Sequence, residues 1–125
     1  YGLVAVTKRE DRFYLVMQGY VQGFENGRPV KDFAKAPKEY ACISLDSPVV
    51  NLKIDVDFTD MTDKASFSYA TADAPDTFLP IGNVHQLYFR LDHFTGCRFA
   101  LGYFSTEKAG GYADFMNFKY LYTEK

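Results

Sequence analysis

The residues most able to do chemistry in this chain are its carboxylates, two histidines and two cysteines. The densest acidic set is Asp55, Asp57, Asp60 and Asp63, four hard oxygen ligands within nine positions. Calcium takes six to eight oxygens, so such a set is the place to look for it. The spacing departs from the EF-hand, however: counting from Asp55, the sixth position is Asp60 where glycine is required, and the twelfth is Ser66 instead of Glu. Asp55 and Asp57 read better as the solvent face of a half-buried strand, and Asp60 and Asp63 as turn residues. Apart from a structural calcium at these weak candidates, no metal or cofactor is implied.

Glycoside hydrolysis needs two carboxyl groups across one bond, one of them kept protonated by its surroundings. Only Asp114, between Tyr112-Ala113 and Phe115, sits in an apolar run, and one acid is not a pair. Nucleophilic catalysis would need His85 or His93 beside a Ser or Cys and an orienting acid. Asp92 and His93 are adjacent, but neighbours on a strand point to opposite faces. Both histidines are therefore expected at turns or on the surface. Cys42 and Cys97 lack C-x-x-C spacing, which leaves a disulfide, two free thiols or two buried apolar groups; burial without pairing is expected. No G-x-S-x-G, H-E-x-x-H or G-x-x-x-x-G-K run occurs.

Aromatics are the compositional signal, with 12 Phe and 10 Tyr but no Trp. Tyr14, Tyr69, Tyr88, Tyr103, Tyr112 and Tyr120 offer planar faces of the kind that stack on sugars, and equally the filling of a core. The formal net charge is −2, with Lys and Arg scattered, so no basic stripe exists to neutralise a phosphate backbone and nucleic acid is not expected as a partner. No apolar run approaches the roughly 20 residues of a membrane-spanning helix, and no membrane partner is expected.

The elements that must position these residues are strands. Period-2 alternation dominates, and no helical stripe lasts beyond two turns. A hairpin is expected from 1-YGLVAV-6 and 13-FYLVMQ-18 around the charged 7-TKREDR-12, both strands apolar enough for burial on two faces. Residues 19 to 39 are irregular, with Asn26-Gly27 as a turn dipeptide. A strand follows at 40-YACISL-45. The cleanest alternation is 50-VNLKIDVDF-58, which should turn Val50, Leu52, Ile54, Val56 and Phe58 to a core. Next come 64-KASFSYA-70, a short 77-TFLPIG-82 whose Pro80 suits a sheet edge, and 86-QLYFRL-91. Strands at 97-CRFALGYFS-105 and 112-YADFMNFKYLY-122 should close the chain, with Gly110-Gly111 as their turn and a bulge near Met116-Asn117. Eight or so short antiparallel strands imply an all-β, two-sheet antiparallel sandwich of the jelly-roll kind. At 125 residues the chain is one domain, 1–125. Because it opens on Tyr1-Gly2-Leu3 in what reads as mid-strand, its N-terminal edge is expected to be incomplete.

The stretch 91-LDHFTGCRFALGYFSTEKAGGYADFMNFKY-120 resembles the C-terminal β-sandwich of glycoside hydrolase family 43, the β-xylosidase and α-L-arabinofuranosidase group. The carriers are the F-T-G run Phe94-Thr95-Gly96, the apolar strand 98–105, the G-G-Y-A-D-F segment Gly110 to Phe115, and Phe118. Upstream, residues 50–70, 78–83 and 1–17 are similar to that domain's earlier strands, so the likeness spans nearly the whole chain. The resemblance implies a concanavalin A-like sandwich that is not itself catalytic, part of a hydrolase acting on xylan or arabinan. It would brace a catalytic propeller and take an oligo- or polysaccharide at the shared pocket. The family's catalytic acids belong to the propeller, so no catalytic residue carries over. By the same resemblance Phe94 would pack over the bound sugar, flanked by His93 and Thr95. A free-standing carbohydrate-binding module and a structural or protein-interaction domain without ligand are the alternatives. A secreted or periplasmic location is favoured over the cytoplasm.

Overall fold

The computed structural model describes residues 1–21, 23–29, 37–87 and 97–123. Nine strands and one 3-10 turn lie among them. The first sheet is built by strands β1 (Gly2–Arg9), β2 (Arg12–Gly19) and β5 (Lys38–Leu45), in the order β1-β2-β5 and antiparallel throughout. Between them β3 (Phe24–Glu25) and β4 (Arg28–Pro29) form a two-stranded ribbon. Its turn is the expected Asn26-Gly27, with φ of 49° and 74°, the positive values a two-residue hairpin turn demands. The second sheet contains β6 (Val50–Asp57), the central β7 (Lys64–Thr71), and two short strands, β8 (Leu79–Pro80) and β9 (His85–Gln86), on the other side of β7. Pro80 sits at the sheet edge, where its missing N–H breaks no ladder.

The first hairpin is tighter than its charges suggest. Arg9 pairs with Arg12, so Thr7, Lys8 and Arg9 continue the strand and only Glu10 and Asp11 turn, with Glu10 at φ 55°. Backbone ladders do not depend on side-chain polarity, and charged residues at an exposed hairpin end extend them freely.

Register explains the core. Opposite one another across the first sheet stand Val4 and Met17, Val6 and Leu15, Leu15 and Ile43, and Phe13 and Leu45. Cross-strand partners share a face, so all of these turn to one side. In the second sheet Ala65 pairs with Val56 and Phe67 with Ile54. Leu15, Met17, Leu45, Ala65, Phe67 and Ile81 form one buried cluster, which places the two sheets face to face with the core between them. Burial on two faces, expected of both strands of this hairpin, is met in β2, where Val16 points away from the cluster and is buried, but not in β1, whose residues are at most half-buried. The inner face of the sandwich is closed tightly at Gly82, where a Cβ would lie 2.7 Å from the Met17 sulfur.

Three expectations are corrected. The apolar face of β6 is only partly core: Val50 and Val56 pack against the cluster, but Leu52 and Ile54 remain 41% and 39% exposed and Phe58 is exposed too. β6 is an edge strand, and alternation marks which side is apolar without saying what covers it. The strands expected at 97–105 and 112–122 are absent: residues 97–123 carry no strand ladder and are exposed along their length. The local reversal is nonetheless there. Gly110 and Gly111 take φ of 131° and 82°, the Tyr103 hydroxyl donates to the Gly110 carbonyl at 2.6 Å, and the Phe99 and Tyr120 rings meet edge to face at 5.8 Å. Asn117, at φ 56°, bends the chain where a bulge was expected, but it returns neither Phe115 nor Phe118 to the core, since both are exposed. Of the strand expected at 86–91, only Gln86 and Leu87 fall among the described residues, and β9 includes Gln86 alone of the two. Finally, Cys42 and Cys97 are free, as expected, but exposed instead of buried.

Candidate functional site

Phe94, His93 and Thr95 lie outside the described residues, and so does Tyr88. What the structure describes is the rim that leads into that segment. The Leu87 N–H donates to the Asp63 carbonyl at 2.7 Å. Beside it the Gln86 amide reaches the carbonyls of Thr62 and Asp63, both at 3.0 Å. These bonds staple the end of β9 to the turn between β6 and β7.

The turn itself is held by its own polar groups. Asp57 Oδ1 accepts the Thr59 N–H at 2.8 Å, the Thr62 hydroxyl donates to the Asp57 carbonyl at 3.2 Å, and the Thr62 N–H closes the 3-10 turn Thr59–Met61 on the Thr59 carbonyl at 3.0 Å. Asp60, Met61 and Asp63 adopt φ of 51°, 56° and 45°. Aspartate tolerates that left-handed region through its short polar side chain, whereas methionine seldom enters it. The result holds Met61 out at 85% exposure beside exposed Phe58.

The four aspartates do not converge. Asp55 pairs with Lys53 at 3.0 Å along its own strand, and Asp57 serves the turn. Among the described residues, no three His, Cys, Asp or Glu side chains gather closely enough to share a metal ion. Asp114 faces solvent in the exposed C-terminal segment. On the outer face of the first sheet, Arg9 pairs with Glu39, which also accepts from Gln18 at 3.4 Å. Hydrogen bonding from Arg9 holds the Glu39 carboxyl below its ordinary value. Arg9 also approaches the Cys42 sulfur at 3.6 Å and the Tyr14 ring at 5.9 Å. This is a surface ion pair, and such pairs contribute little.

One residue overturns its expectation outright. His85 is not on the surface: it is 2% exposed, on the inner face opposite Ala65. The cause is a notch. Gly2 and Gly19 pair directly across β1 and β2, both on the core side, and a Cβ on either would lie 2.9 Å from the imidazole. The ring occupies the volume that two side chains would have filled. The only signal in the sequence was the pair of glycines, and it becomes visible once the hairpin turn is known to be two residues long.

Exposed aromatic rings gather in the C-terminal segment. Phe104, Tyr112, Phe118, Tyr120 and Tyr122 all expose more than half their surface in the segment 97–123. Exposed rings suit either a sugar chain or an apolar protein surface.

Comparison with known protein families agrees with this architecture. A family model described as the beta xylosidase C-terminal concanavalin A-like domain matches residues 2–121. No curated protein and no solved structure matches the chain.

Proposed function

Since the chain belongs to the C-terminal concanavalin A-like domain family of glycoside hydrolase family 43 β-xylosidases, we propose that it braces the catalytic propeller of such an enzyme and shapes one edge of its sugar pocket. The substrate would be xylan or arabinan. The observation that carries this reading is the match itself, which runs over 2–121 and so includes the C-terminal aromatic segment. That segment supports it physically. Rings exposed over more than half their surface and gathered in one segment suit a contact site, and a domain whose task is to hold another needs one.

Phe94 is the pocket residue in this reading, with His93 and Thr95 beside it. The test is made in the enzyme that carries this domain. Phe94→Ala should lower kcat/KM on xylo-oligosaccharides about tenfold, the scale of one lost apolar contact in a sugar site, with the melting midpoint retained. An unchanged kcat/KM would remove Phe94 from the pocket. The genomic check is simpler: a propeller encoded in the same reading frame, upstream of Tyr1, is the expected finding.

The exposed tyrosines favour one second reading, a free-standing carbohydrate-binding module. Tyr112 and Tyr122 expose 84% and 75% of their surface, as stacking platforms do. Retention of the 125-residue chain on insoluble xylan, without any propeller in the reading frame, would select that module over the accessory role.

A further inference from the structure

At one end of the sandwich an ionisable side chain lies between the two sheets. His85 projects from β9 into the notch between Gly2 and Gly19, where its Nδ1 is buried and finds no hydrogen-bond partner among the described residues. Phe67 closes the same notch, its ring tip 2.9 Å from where a Gly2 Cβ would stand. A neutral imidazole can be held there by packing; an imidazolium cannot be held without a counter-charge.

We propose that His85 is an acid-released latch between the sheets: neutral, it locks β9 onto β1 and β2, and once protonated it withdraws and lets that end of the sandwich open. The groups facing the ring agree on the direction. β1 and β2 present Gly2 and Gly19, and β7 presents Ala65 directly opposite and Phe67 beside it. None of these side chains carries charge. Lys64 is opposite Gln86 and so points to the other face. Among the described residues no carboxylate reaches the ring to hold a proton there. Burial pushes His85 below the ordinary histidine value.

The sign follows from linkage. The unfolded chain takes up the proton at about pH 6.5, before the folded chain does. The latch therefore holds fully above that pH. Between there and the depressed folded value the closed-to-open ratio falls about tenfold for each unit of pH, and below the folded value the dependence ends.

The experiment follows the 125-residue chain by NMR between pH 7.5 and 5, together with urea unfolding of wild type and His85→Leu. The expected results are a His85 imidazole midpoint below 6.5, faster amide exchange at Gly2, Gly19 and Leu87 on acidification after correction for intrinsic rates, and a pH slope in wild-type unfolding that the Leu variant lacks. If His85→Leu does not fold, the wild-type resonances still decide. A midpoint at or above 6.5, or exchange at those amides unchanged down to pH 5, overturns the latch. The outcome is independent of the accessory-domain reading, since it concerns only the joint between the sheets.

Discussion

At the residue scale, the features that matter most are spaces left empty by glycine. Gly2 and Gly19 face each other across a ladder and make room for His85, and Gly82, at φ 74°, makes room for Met17. Filling either space should cost stability. Gly19→Ala forces a methyl against the imidazole, and we expect a loss of about 1–3 kcal/mol, the usual range for overpacking, measured by urea denaturation. Gly82→Ala adds left-handed strain to a clash with the Met17 sulfur and should be the more damaging of the two. Arg9→Ala provides the contrast. It removes a surface ion pair with Glu39, and the melting midpoint should hardly move. An equal loss at Arg9 and Gly19 would contradict the claim that packing, and not surface charge, holds the sheets.

At the element scale, the short turns decide where the strands go. The Glu10-Asp11 turn puts Glu10 at φ 55°, a conformation glycine adopts without strain. Glu10→Gly should therefore raise or leave unchanged the thermal midpoint, despite the entropy glycine adds to the unfolded chain. Asn26-Gly27 was legible in the sequence because the dipeptide names its own turn. The turn at Glu10-Asp11 was not, because charge marks a loop and the exposed end of a ladder alike, and residues 7–9 and 12 belong to the ladder. β6 shows a related difficulty. Its alternation correctly identified Leu52 and Ile54 as the apolar side, and yet these residues stay half-exposed because an edge strand has no neighbour beyond it.

At the scale of the whole molecule, the sandwich depends on one cluster shared by the two sheets. Phe67→Ala, at its centre, should destabilise by about 3–5 kcal/mol, with calorimetry or denaturant unfolding as the check. The C-terminal segment stands apart, since its side chains add nothing to that cluster. Tyr112→Ser and Tyr122→Ser should leave stability near that of wild type while weakening attachment to a propeller or to xylan, measured by co-purification and pulldown. Periodicity and turn chemistry by themselves determined that the chain is all-β, where most strands of the first two-thirds lie, and which side of β2, β6 and β7 is apolar. Those properties are local, because alternation and turn preference act over a few residues. The ordered features at 91–120 likewise carried the family. Only the tertiary structure decided that His85 is buried, that the aspartates disperse, and that 97–123 stays outside the core. Each of these depends on what lies across a sheet or between sheets, at a distance along the chain that no local pattern records.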